Sequence, residues 1–87
     1  MVLLIDFFAP WCGPCRAMSP IVDEIVKLLQ GKIEFESVDV DQNPTRAKEF
    51  SVMSIPTLVV VKDGKEVSRK VGGVLKTEME SWVRSFL

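Results

Sequence analysis

The chain has 87 residues, enough for one hydrophobic core and too few for two, because chains of this size bury only roughly 60 to 70% of their unfolded surface. Hydrophobic residues make up 47% and charged residues 26%, a balance that excludes a disordered tail and points to one folded domain over residues 1–87. The net charge is −1, and lysines alternate with acids from Lys62 to Lys76, so no basic footprint for nucleic acid exists.

The opening Met1-Val2-Leu3-Leu4-Ile5 is apolar, but no basic region precedes it and Asp6 interrupts it. That run is too short for a signal or a membrane span, and no membrane partner is expected. Residues 2–8 read as a strand covered on both faces, ended by Pro10. From Pro14 to about Leu29, Met18, Ile21, Val22, Ile25, Val26 and Leu29 recur at spacings of three and four, which predicts a helix stopped by Gly31. Pro20 lies inside it and should kink it. Ile33 to Val40 reads as a second strand, and Asn43-Pro44 caps a short helix to about Phe50. Thr57–Val61 and Glu66–Val71 read as two strands joined through Lys62-Asp63-Gly64-Lys65, with Asp-Gly as the hairpin turn. Leu75, Met79, Trp82, Val83 and Phe86 form the stripe of a C-terminal helix. The order βαβαββα predicts an α/β fold with one parallel pair, a right-handed crossover and an added antiparallel hairpin.

Cys12 and Cys15 are the only cysteines. Two cannot staple a small secreted scaffold, and C-x-x-C among alternating strands and helices reads as a redox pair with a cytoplasmic address. The pair falls where the first strand gives way to a helix, so Cys12 should lie at a helix N-terminus, which stabilises a thiolate. In the first helical turn the two sulfurs come within bridging reach, Cys12 outermost and Cys15 partly shielded; the outer sulfur attacks and the inner one resolves. The chain has no histidine, so imidazole catalysis is absent, and thiol exchange does not need it. Two alternatives stay open. Half a zinc site would require a second chain, since structural zinc takes four ligands. A purely structural bridge would constrain the unfolded chain little across so short a loop. Asp6 is a carboxylate inside an apolar strand, where burial should raise its pKa.

The segment Ile5-Asp6-Phe7-Phe8-Ala9-Pro10-Trp11-Cys12-Gly13-Pro14-Cys15 resembles the active-site segment of thioredoxins. Asp41-Gln42-Asn43-Pro44, Ser54-Ile55-Pro56-Thr57, Lys62-Asp63-Gly64 and Val71-Gly72-Gly73 follow in the family's order and spacing. The resemblance implies a thioredoxin-like fold, a central mixed four-stranded sheet flanked by helices, and a protein-disulfide reductase working by dithiol–disulfide exchange. It implies no cofactor beyond the Cys12-Cys15 disulfide, disulfide-containing target proteins as substrates, and a thioredoxin reductase as electron donor. Asp6 is implied as the proton acceptor of Cys15, usually through water. Pro56 is implied to follow a cis peptide bond and to wall a substrate groove, completed by Trp11, Gly13, Pro14, Ile55, Gly72 and Gly73. The Gly13-Pro14 dipeptide is similar to that of reductants, with a poise near about −270 mV. A glutaredoxin-like or isomerase activity is the alternative among enzymes, and a non-catalytic binding module the alternative outside them.

The chain also departs from the family. Ser37 stands where a lysine commonly pairs with the buried Asp, and Phe8 where many members carry Trp. The usual first strand and helix are missing, so the sequence reads as a short form or a fragment in which Ile33–Val40 becomes a sheet edge. Glu34 and Glu36 are charges of the kind that discourage edge pairing. A monomer is expected, with dimerisation through that edge as the alternative.

Overall fold

A computed structural model describes residues 1–87. Its elements are β1 (Val2–Phe8), α1 (Gly13–Leu28), β2 (Ile33–Asp39), α2 (Pro44–Glu49), β3 (Thr57–Lys62), β4 (Lys65–Val71) and α3 (Lys76–Arg84). One sheet of order β2-β1-β3-β4 holds all the strands, with β1 parallel to β2 and antiparallel to β3, and β3 antiparallel to β4. β1 is therefore an inner strand, as its apolar run requires, and β2 is an edge.

Alternation along the two inner strands divides the core. Val2, Leu4, Leu58 and Val60 face one way and pack with Met18, Val22 and Ile25 of α1 and Met79 and Val83 of α3. Ile5, Phe7, Val59 and Val61 face the other way, against Ala47, Phe50, Val52 and Ile55. Successive strand side chains point to opposite faces, so Asp6 shares the face of Leu4 and looks toward α1.

Local features fill in this outline, and one expectation changes, that for Leu75. α1 runs from Gly13 to Leu28 with Pro20 inside it, and the carbonyl that loses its donor to the proline belongs to Arg16, an exposed residue. The hairpin turns at Asp-Gly as expected: Lys62 pairs with Lys65, leaving Asp63 (φ 53) and Gly64 (φ 82) as a two-residue turn. Two positive φ angles give a turn whose twist matches its strands. Leu75 is the N-cap of α3 and 75% exposed, so it leaves the apolar stripe. Arg46 of α2 forks onto the two carboxylate oxygens of Glu36 on the edge strand at 2.7 and 2.8 Å. No helix is long and apolar enough to cross a membrane.

Candidate active site

The site begins where β1 hands the chain to α1. The Cys12 N–H donates to the Ala9 carbonyl at 3.1 Å, and the Arg16 N–H to the Cys12 carbonyl at 3.1 Å, which starts the helix. Cys12 is the N-cap: its backbone is extended and its Sγ accepts the Cys15 N–H at 3.2 Å. Serine, threonine, aspartate or asparagine usually caps with an oxygen; here sulfur does so. Pro14 occupies the first turn, where its missing N–H has no helical partner to lose. No acidic residue sits in that turn to oppose the positive end of the helix.

Cys12 and Cys15 are joined in a disulfide with Cα atoms 5.2 Å apart, within the usual span for such a bridge. The expected difference in shielding is absent in this oxidised form. Cys12 is 5% and Cys15 6% exposed, packed with Ala9, Phe8, Val40 and Ile55. What separates the two is their surroundings. Cys15 lines a cavity of about 270 Å³ that also takes in Asp6, Ala9, Arg16, Ser19 and Ser37. Cys12 lines no cavity.

Asp6 pairs in register with Ser37 of β2 and Leu58 of β3. Burial pushes its carboxyl from 3.8 up to about 6, and the charge of Asp23 on α1 adds to the rise. Ser37 offers no positive charge in return. Asp23 escaped the sequence reading, although its position carried a signal: Cys15, Ser19 and Asp23 are four residues apart and so share one face of α1.

The other expected residues frame the disulfide unevenly. Ile55 packs on the cluster of Ala9, Cys12 and Cys15. Trp11, 68% exposed, shares a groove with Ile55 and Met53, and Pro14 shares another with Gly73 and Leu75. The Ile55-Pro56 bond is cis. Pro56 itself is buried and lines neither groove, but its carbonyl accepts the Gly72 N–H at 2.8 Å, which ties the glycine loop beside it. Gly72 has φ +90, a conformation that favours glycine. Gly13 touches no cavity and opens the helix between the cysteines. A second unforeseen residue is Asp41, whose Oδ2 accepts the Trp11 indole N–H at 2.7 Å. Its segment, Asp41-Gln42-Asn43-Pro44, was among those that carry the resemblance, but nothing in it pointed to Trp11.

A family model described as "Thioredoxin" matches residues 1–85. The chain belongs to the thioredoxin family. It is 44% identical over 85 residues to the thioredoxin of Synechocystis and 45% identical to thioredoxin 1 of Nostoc, each match covering 98% of this chain and 79% of the relative. Among solved structures, mitochondrial thioredoxin 3 of Saccharomyces cerevisiae in its oxidised form superposes with a TM-score of 0.87 at 36% identity, covering 97% of this chain and 77% of that one. A mutant thioredoxin from Halobacterium salinarum superposes with a TM-score of 0.89 at 34% identity, covering 98% and 74%. The chain has the thioredoxin-like fold and is a thiol–disulfide oxidoreductase with protein-disulfide reductase activity. Thioredoxins work through a redox-active disulfide, and the family implies disulfide-containing protein targets and a reductase in general.

Proposed function

We propose that Cys12 is the attacking sulfur, Cys15 the resolving sulfur and Asp6 the base for Cys15. The Cys12 thiolate attacks a target disulfide, forming a mixed disulfide and releasing one target thiolate. Cys15 then loses its proton to Asp6 and attacks the Cys12 sulfur, which frees the second target thiolate and leaves Cys12-Cys15 oxidised. Two electrons pass to the target, and a dithiol reductase returns them. The observation that carries this division of labour is the capping bond: the Cys12 sulfur, at the helix N-terminus, accepts a backbone N–H, and such a position favours its anion. Cys15 has the complementary surroundings, a shared cavity with a carboxyl whose proton affinity lies near neutrality.

On this reading residues 1–87 act as one domain, without a further cofactor or metal. The apolar side chains of Trp11, Pro14 and Ile55, with the backbones of Gly13, Gly72 and Gly73, receive the polypeptide around the target disulfide, and Pro56 holds the Gly72 loop beside them. The Gly13-Pro14 pair, with no histidine between the cysteines, favours a reductant over an isomerase. A thioredoxin reductase supplies the electrons, the protein works as a cytoplasmic monomer, and neither nucleic acid nor membrane is a partner. The test is trapping. Cys15→Ser should accumulate a covalent adduct with an oxidised protein substrate that dithiothreitol dissolves, whereas Cys12→Ser should trap nothing. Adducts forming on Cys15 in Cys12→Ser would reverse the assignment.

A further inference from the structure

Residues 72–75 carry β4 into α3 and share a groove with Pro14, which stands between the two cysteines. This turn has little of its own to hold it in place. Gly72 and Gly73 bring no side chain, and Gly73 and Leu75 are exposed. Two hydrogen bonds fix it. At one end the Gly72 N–H donates to the Pro56 carbonyl at 2.8 Å, which ties the turn to the start of β3. At the other end the Val74 N–H donates to Sδ of Met18 at 3.3 Å. That N–H has no other acceptor, and no other hydrogen bond joins the turn to α1. α1 is the helix that holds Cys15, and Met18, three residues further on, lies on the same face of it.

We propose that Met18 is a positioning residue for target docking: through its sulfur it fixes the turn against α1, and so holds one wall of the groove where that wall meets the polypeptide around a target disulfide. The inference rests on the Gly72-Gly73 backbone receiving the target. Met18 is 4% exposed and belongs to the apolar cluster of Val22, Leu58, Met79 and Val83, against which Val74 also packs. An oxygen acceptor at that depth would have to be stripped of water. A thioether sulfur accepts a hydrogen bond, weakly, while the rest of the side chain packs as a hydrophobe. The same residue lines the groove, of about 330 Å³, so it touches the core and the docking surface at once. Without the sulfur the half-buried Val74 N–H has no partner, and it regains one only when the turn moves outward to water. Two adjacent glycines permit that movement. Docking of a protein target must then restore the turn, whereas a disulfide too small to reach the turn is indifferent to its place.

Met18→Leu tests this, because it keeps the volume and apolar character of the site and removes only the acceptor. Met79→Leu makes the same exchange in the same cluster, at a fully buried position with no hydrogen bond to the turn. Each reduced protein is mixed with insulin and, separately, with hydroxyethyl disulfide, and loss of the Cys12 and Cys15 thiols is followed by rapid quenching and alkylation. The ratio of the two second-order rate constants isolates docking from thiol chemistry. Met18→Leu should lower the insulin-to-small-disulfide ratio by about 5-fold, the size of one hydrogen bond, and its Val74 amide should exchange with deuterium faster than in the parent. Met79→Leu should leave both at the parent values. Gly73→Leu adds a side chain where the backbone is exposed and the space around it is free, and it should lower the ratio too. If Gly73→Leu keeps the parent ratio, the turn does not receive the target, and the docking role of the glycines falls together with the proposal. If Gly73→Leu lowers the ratio but Met18→Leu does not, or Met79→Leu lowers it as much, Met18 is a core residue only and the proposal alone is overturned. An equally protected Val74 amide in Met18→Leu overturns it as well.

Discussion

Asp6 should weaken the fold at neutral pH, and its removal should make that visible. In the folded protein the carboxyl titrates at about 6 instead of 3.8, chiefly because burial disfavours its charge. Below pH 3.8 the group is protonated in both the folded and the unfolded chain, and stability is at its full value. As pH rises from there to about 6, the unfolded chain ionises while the folded one holds its proton, so stability is progressively lost; above about 6 both are charged and the loss is constant. A displacement of about two pH units, at about 1.4 kcal/mol each, makes this loss about 3 kcal/mol. Asn has the shape of the protonated acid and no charge. Asp6→Asn should therefore match the parent near pH 4 and exceed it by about 3 kcal/mol at pH 8, more than about 10 °C in Tm for a domain of this size. Urea denaturation of the oxidised proteins at pH 4, 5, 6, 7 and 8 gives the difference directly from the midpoints, provided the slopes agree. A gap that does not change with pH would refute the argument, because only a titration confined to this window produces it.

Asp23→Asn removes the second cause of the rise, so the Asp6 carboxyl, followed by NMR titration, should move down while staying above 3.8, since burial persists. Leu58→Ala empties a fully buried position between the sheet and its helices and should cost about 2 to 5 kcal/mol in urea denaturation. Gly64→Ala places a side chain at φ 82 in the hairpin and should cost about 1 to 2 kcal/mol, measured in the same way; no change would show that the turn relaxes. In the reduced protein near pH 7, iodoacetamide should label Cys12 well before Cys15, because reactivity follows the thiolate fraction, and peptide mapping that finds equal labelling would contradict the capping argument.

Much of this molecule is legible along the chain. The apolar run of residues 2–8 is an inner strand because only a strand covered on both faces tolerates such a run, and the spacing of Met18, Val22, Ile25 and Leu29 is a helix burying one stripe. Asn43-Pro44 and Asp63-Gly64 mark a cap and a turn through their own backbone chemistry, and both occur where expected. Trp11 to Cys15 carried the chemistry because the motif is contiguous. Its reach is local: a helix start, two sulfurs one turn apart and a proline that tolerates the position.

Contacts between segments distant in sequence had to be folded to be seen. Asp23 lies 17 residues beyond Asp6 and acts on it across the helix–sheet layer, and Asp41 reaches Trp11 over 30 residues; neither pairing has a local signature. Glu36, an edge-strand charge in the sequence, is paired with Arg46 of α2, a partner ten residues on that only the fold brings against it. The equal burial of the two cysteines depends on the residues packed around both of them, Ala9, Phe8, Val40 and Ile55, where spacing alone gave an inequality. Local backbone preferences and hydrophobic period are written into short windows of sequence, and so the sequence by itself determined the elements and the redox motif. The cavity beside Cys15 and the proton affinity of Asp6 depend on what separate elements leave between them when packed, and only the tertiary structure decided those.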